Sequence, residues 1–322
     1  MNVGIDTSSL VQTGAGTARH LRGLLAALEG RPGLELRALT FGGRGRAATI
    51  ARDAAWYPLG IARKARDLDV LHCPTMRAPV RARPAVVATV HDIAVLRYPE
   101  TFPRWHRHTG RLALRQAVRT ADAIVAVSAF TRDELVETLG VSADRVRVVG
   151  NGVDPVFNLL GPTAPGDYVL AVGTLEPRKN LTRAVEAARL VGIEVRVVGA
   201  PGWGGVGVPG WVGRVDDEEL AALYRGARCL VFPSLYEGFG IPILEAMSSG
   251  TPVVTSRGGA TEEIAGGAAV LVDPFDVEAI ASGIAEAHER RAELVTLGLD
   301  RSRAFTWRRA ADELEQLWRE LA

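Results

Sequence analysis

Glu237 and Glu245 stand eight positions apart within FPSLYEGFGIPILEAMSSGTPVVT, residues 232–255. An ionised carboxylate only accepts hydrogen bonds, so a pair of them in a crevice suits the hydroxyl groups of a ligand, with sugar and ribose the obvious donors. Arg178 and Lys179 follow a strand and a turn containing Gly173, then open a helix. Two cations and several free amides at one point fit a nucleotide diphosphate, and charge developing on a departing diphosphate could be stabilised there without a metal. A solvated helix start is the plainer reading of the same pair, although cations oppose the dipole at that end. The closeness of Glu237 and Glu245 could suggest a glycosidase acid and nucleophile, but the helix dipole and the two cations should keep both ionised.

Other groups carry weaker signals. Gly14-Ala15-Gly16 lies between the first strand and a helix starting near Thr17, where missing side chains let backbone amides approach phosphate. It lacks the third glycine of a dinucleotide fingerprint, and read alone it is a flexible loop more often than a site. His91 follows the apolar run 85–90, while His72 follows another strand without further support. His106 and His108 read as exposed on a helix, and His20 and His288 as helix-surface residues. Asp67-Leu68-Asp69 spells the DxD of metal-dependent transferases, but it precedes a strand and therefore lies at the wrong end of the sheet. No metal or other cofactor is expected.

The elements that must hold these residues follow from periodicity. Residues 229–232 read as a buried strand, 233–240 as the loop leaving its carboxyl end, and 241–249 as a helix with Pro242 in its first turn and Gly250 as its stop. Ligands of open parallel sheets bind beyond the carboxyl ends of the strands, where Glu237 would stand. Strands are expected near 3–6, 34–40, 70–73, 85–90, 123–127 and 146–149, with helices between them. Residues 158–167, with two Pro and two Gly, read as a linker. A second series runs near 168–172, 194–198, 229–232, 252–255 and 269–272. The fold class is α/β: two doubly wound, Rossmann-like domains facing across a cleft, at 1–157 and 168–305. Residues 306–322 form a last helix expected to cross back to the first domain.

The run F-P-S-x-Y-E-G-F-G-x-P-x-x-E-A-M resembles the retaining, nucleotide-sugar-dependent glycosyltransferases of family 4, which have the GT-B fold. The resemblance extends over nearly the whole chain. It includes Gly173-Thr174-Leu175-Glu176-Pro177-Arg178-Lys179-Asn180, Val127-Ser128-Ala129-Phe130-Thr131, Asn151-Gly152-Val153-Asp154 and His91-Asp92. It implies that Glu237 meets the donor sugar hydroxyls, Glu245 the ribose, and Arg178 and Lys179 the diphosphate. His91 would reach the sugar from the opposite wall, and Gly16 would belong to a glycine loop over the donor. Gly173, Val215, Gly238, Phe239, Gly240 and Ile241 complete the implied donor site. The wording is most like bacterial mannosyltransferases, which implies GDP-mannose as first donor, with UDP-glucose and UDP-N-acetylglucosamine open. A glycan or lipid-linked hydroxyl acceptor would lie mainly on residues 1–155. Nucleotide-sugar epimerase or hydrolase activity, or binding without turnover, are the alternatives. One departure stands out: APGWGGVGVPG, residues 200–210, is too rich in Gly and Pro for the helix that relatives carry there, next to the expected base pocket.

Composition has an ordinary globular balance, and the chain is long enough for two α/β domains. The chain has 322 residues, 47% hydrophobic and 23% charged. No apolar run reaches the ~18 residues of a spanning helix and no leader precedes the first strand, so a cytoplasmic protein is expected. Cys73 and Cys229 lie in apolar strands and read as buried thiols. Residues 1–160 hold 22 Lys or Arg against 14 Asp or Glu, whereas residues 161–322 hold 16 against 23. An anionic partner would be steered to the first half. No nucleic-acid partner is expected. Arg104, Arg107, His108, Arg111, Arg115 and Arg119 share one side of a helix whose other side carries Leu114, Ala117, Val118 and Ala121. That basic face suits peripheral attachment to an anionic membrane, and a merely solvated face equally well.

Overall fold

The computed structural model describes residues 1–12, 16–43 and 45–322. Gly14 and Ala15 of the glycine loop lie outside the described residues. The chain divides into two compact units. The first comprises residues 1–96, 105–152 and 307–322, and the second residues 97–104 and 153–306. This division differs from the sequence-based boundary at 157, because Phe157 is buried against Tyr224 and its carbonyl accepts the Ser248 hydroxyl at 2.7 Å. Residues 97–104 join the second unit through Phe102, whose ring lies 5.9 Å from that of Trp203, and through the Thr101 carbonyl, which accepts the Trp203 indole N–H at 2.6 Å.

The first unit holds strands β1 (Asn2–Asp6), β2 (Glu35–Leu39), β3 (Val70–Cys73), β4 (Ala85–Val90), β5 (Ala123–Ala126) and β6 (Val146–Val148). Every pairing is parallel, in the order β2-β1-β3-β4-β5-β6. The short apolar runs become strands because both faces of a parallel sheet are covered by helices. Ser128, beyond β5, caps the helix Ala129–Leu139 by accepting the Thr131 amide at 3.0 Å, which gives the Ser-Ala-Phe-Thr piece a local structural role.

The C-terminal helix Trp307–Leu321 belongs to this first unit and packs against the helix Gly16–Leu28. Gly23 permits the approach: a methyl group there would lie 2.1 Å from the Trp307 ring. Trp318 is fully buried, and its indole N–H donates to His72 Nδ1 at 3.1 Å. Nδ1 is thereby an acceptor, so His72 carries its proton on Nε2 and donates it to Thr89 Oγ1 at 3.0 Å. Burial, with repulsion from His91, brings the His72 imidazole down to about 3.

His20 corrects the sequence reading. It is a buried residue of the helix Gly16–Leu28, not a surface one, with Nδ1 2.6 Å from Asn151 Oδ1 and its ring edge-on to Trp307. Burial, then the neighbouring His91, holds its imidazole well below the ordinary range. His106, His108 and His288 are exposed, and both cysteines are buried free thiols.

The second unit holds β7 (Tyr168–Val172), β8 (Glu194–Val198), β9 (Trp211–Gly213), β10 (Leu230–Phe232), β11 (Val253–Ser256) and β12 (Val270–Val272), all parallel in the order β12-β11-β10-β7-β8-β9. Residues 200–210 carry no helix. The short edge strand β9, absent from the sequence reading, follows them. Its neighbour β8 ends at Val198, and a methyl group on the following Gly199 would fall 1.8 Å from the Gly173 carbonyl oxygen.

Truncating Trp318 removes a large ring and leaves a hole beside a buried histidine. Trp318→Ala is expected to lower stability by about 3–5 kcal/mol. Denaturant unfolding followed by circular dichroism checks it, and an unchanged midpoint would contradict the role given to this helix.

Candidate functional site

Chain order along the second sheet reverses between β7 and β10. The chain runs outward through β8 and β9, then returns to place β10 on the other side of β7. The loops leaving the carboxyl ends of β7 and β10 therefore diverge, and the crevice so formed is where open α/β sheets bind ligands. The β7 loop carries Glu176, Arg178 and Lys179, and the β10 loop carries Tyr236 and Glu237.

Pro177–Lys179 is a single 3-10 turn, with the Lys179 amide donating to the Glu176 carbonyl at 3.1 Å. Asn180 closes it at φ 57°, the one non-glycine residue with positive φ among those described. That left-handed conformation suits Asn better than most side chains. It aims Nδ2 at the carbonyls of Pro233 (2.9 Å) and Pro274 (2.6 Å), joining the loops after β7, β10 and β12. Gly173 lets the stem of Lys179 lie across it, since a methyl group there would meet Lys179 Cγ at 3.2 Å.

Four charged side chains converge in this place. Arg178 donates through Nη2 to Glu176 Oε1 at 2.7 Å, and through Nη1 to the Tyr236 carbonyl at 2.6 Å and Glu237 Oε2 at 3.1 Å. Lys179 Nζ meets the other Glu237 oxygen, Oε1, at 2.5 Å and lies 5.5 Å from the centre of the Phe232 ring. Glu176, Arg178 and Glu237 are all buried. Two carboxylates and two cations make the group neutral as a whole, which is what permits its burial. Burial alone would raise the Glu237 carboxyl, but Lys179 and then Arg178 outweigh it and hold the group at about 2. Glu237 is therefore a carboxylate at any physiological pH.

Beyond Glu237 the chain turns through Gly238 and Phe239 into the helix Ile241–Ser248. Gly240 caps that helix at φ 102°, a conformation that favours glycine. Phe239 is buried, with its ring 5.9 Å from that of Phe305, while Ile241 is half-buried. Glu245, in the second turn of the helix, is buried and accepts the Tyr224 hydroxyl at 3.0 Å. Val215 is partly exposed, just before the helix Asp217–Gly226.

Gly16 and His91 belong to the first unit. Gly16 is exposed at the start of its helix. His91 follows β4 with Nε2 3.0 Å from the Pro74 carbonyl, and its ring is perpendicular to that of His20 at 4.8 Å. A carbonyl only accepts, so Nε2 carries the proton and Nδ1 keeps a lone pair. Burial lowers the imidazole from its ordinary value and favours this neutral form. Asp67 and Asp69 have separate local partners, the Arg37 guanidinium at 2.9 Å and the Asn2 amide at 2.7 Å. Sequence reasoning gave no role to Glu176, Asn180, Tyr224 or Tyr236. Only the Glu-Pro-Arg-Lys-Asn wording hinted at the first two.

A family model described as Glycosyltransferase Family 4 matches residues 15–157, and one described as Glycosyl transferases group 1 matches residues 166–290. O-antigen chain mannosyltransferase B of Escherichia coli is 33% identical over 273 residues, which are 74% of this chain and 71% of that protein. Among solved structures, sucrose-phosphate synthase of Thermosynechococcus elongatus superposes with a TM-score of 0.78 at 20% identity, covering 100% of this chain and 99% of that one. Anabaena Alr3699/HepE in complex with UDP-glucose gives 0.76 at 18% identity, with 100% of both chains covered. These likenesses identify the two-domain fold as GT-B.

The depressed Glu237 carboxyl has a thermodynamic signature. A group held at about 2 in the folded protein, against an ordinary 4.5, contributes stability that is full above 4.5 and fades as the pH falls toward 2. The denaturation midpoint of the wild type should therefore drop more steeply between pH 5 and pH 2 than that of Glu237→Gln. Parallel profiles would show that the carboxylate is not held as described.

Proposed function

As the chain belongs to the group 1 glycosyltransferases of family 4, we propose that it transfers mannose from GDP-mannose to a hydroxyl acceptor in glycan or glycolipid synthesis. The observation that carries this reading is the ionised Glu237, held against Lys179 in the crevice between the β7 and β10 loops. A fixed carboxylate beside a cation can orient sugar hydroxyls and meet a diphosphate together. Mannose is supported by the name of the Escherichia coli relative. UDP-glucose is the second donor reading, favoured by its presence in the Anabaena structure.

The reaction proposed retains configuration. The acceptor oxygen forms its bond to the anomeric carbon on the face from which the phosphate leaves, the bond from that carbon to the phosphate oxygen breaks, and the departing oxygen takes the acceptor's proton. Glu237 accepts from the sugar hydroxyls throughout. Glu245, oriented by Tyr224, is proposed to accept from the ribose. His91, neutral and with an acceptor at Nδ1, is suited to a sugar hydroxyl. Cationic charge at the β7 turn stabilises the diphosphate, so no divalent ion is required.

Peripheral membrane attachment is proposed for the helix Arg104–Thr120. Leu114, Ala117 and Val118 face the core, while Arg104, Arg115 and Arg119 are exposed together with Trp105 and Leu112. Arginines interleaved with an exposed indole and an exposed leucine suit an anionic surface carrying a lipid-linked acceptor. Among the described residues, no helix is long and apolar enough to cross a membrane.

Purified protein should turn over GDP-mannose with an extracted glycan or lipid acceptor, in EDTA as well as without it, and give an α-linked product by NMR. Glu237→Gln should reduce kcat roughly ten- to a hundredfold, the loss of a charge-assisted hydrogen bond. Strict dependence on added manganese or magnesium, or near wild-type turnover by Glu237→Gln, would contradict the mechanism. Separately, the wild type should cosediment with phosphatidylglycerol vesicles at low salt and leave them at high salt. At about 1 kcal/mol per basic residue, changing Arg104, Arg115 and Arg119 to Glu should abolish that binding.

A further inference from the structure

The adjacent cations of the β7 turn are held in different ways. The Arg178 guanidinium is engaged on both of its terminal nitrogens, by Glu176, Glu237 and the Tyr236 carbonyl. Its own carbonyl is fixed by the Leu235 amide at 2.9 Å. Removing Arg178 from this setting would strand Glu176, a buried carboxylate whose side chain is paired to it. Leaving a buried charge unpaired is costly. Lys179 instead holds a single carboxylate oxygen, at the end of a flexible four-carbon stem that rests on Gly173. When Lys179 turns away, Glu237 still keeps the Arg178 contact on its other oxygen, so the carboxylate stays paired and aimed.

We infer that the two cations divide the work: Lys179 is the cation released to an incoming diphosphate, whereas Arg178, clamped by Glu176, is a positioning residue that keeps Glu237 oriented toward the donor sugar. Glu176 is thereby a positioning residue as well, one step further from the ligand. The inference rests on the nucleotide-sugar reading above and refines the shared diphosphate role that sequence wording gives to both cations. It separates binding of the nucleoside diphosphate, which needs Lys179, from recognition of the sugar, which needs the clamp.

Calorimetry with GDP and GDP-mannose, repeated with UDP and UDP-glucose, tests the division alongside kcat measurements. In the wild type, at least one nucleoside diphosphate should bind; binding of neither would overturn the nucleotide-sugar reading itself, and this inference with it. Lys179→Ala should weaken the bare nucleoside diphosphate about tenfold or more. Glu176→Gln and Arg178→Lys should leave that affinity within about threefold, yet lower kcat at least tenfold and remove the added affinity contributed by the sugar. Glu176→Asp, which keeps the charge, should recover part of kcat. It also serves if Glu176→Gln fails to fold, as judged by circular dichroism. Arg178→Lys weakening the bare diphosphate as much as Lys179→Ala would place Arg178 on the phosphates and overturn the proposal. So would wild-type kcat in folded Glu176→Gln.

Discussion

The contact between Arg178 and the β10 loop is the interaction on which the second unit's crevice depends. Two loops that leave neighbouring strands in opposite directions have no reason to keep a fixed separation. Arg178 supplies one, by binding the Tyr236 carbonyl and Glu237 while its own carbonyl takes the Leu235 amide. Such a bridge is stable only if the guanidinium is neutralised where it is buried. Glu176 provides that charge from the same turn, two residues away. Asn180 adds a second bridge, and its left-handed backbone is the local strain that directs the amide toward two carbonyls at once.

Much of the fold was legible because most of its strands are short apolar runs, several of them buried along their whole length. The runs at 85–90, 168–172 and 194–198 emerge as β4, β7 and β8 with the same limits. The strand β9 was missed because it is a brief edge strand with exposed Trp211 and Val212, so no alternation or apolar run announces it. His20 was misread for a different reason. Its position on a helix leaves its environment open, and the groups that bury it, Asn151 and Trp307, are remote in sequence.

The site was legible as a set of residue types and much less as a set of contacts. Glu237 and Lys179 could be named from their positions at strand ends, but nothing in the spacing says that they touch. Glu176 sits in the quoted motif without any mark of function, because its partner is the very arginine that spacing assigns to a ligand. Glu245 illustrates the same limit: its burial and its bond from Tyr224 depend on how the helix Ile241–Ser248 packs, not on its distance from Glu237 along the chain.

The placement of the helix Trp307–Leu321 bears on how the molecule is made. A ribosome delivers residues 1–152 long before Trp307 and Trp318, so the nascent first unit must wait with the groove on its helix Gly16–Leu28 uncovered and the buried His72 lacking its indole donor. The second unit, by contrast, has all its strands once residue 272 has emerged. Chains of this kind usually complete their domains from the amino terminus as synthesis proceeds. Here the order is inverted: the portion synthesised first closes only once residues 307–322 have emerged, after every strand of the second unit is already available to pair.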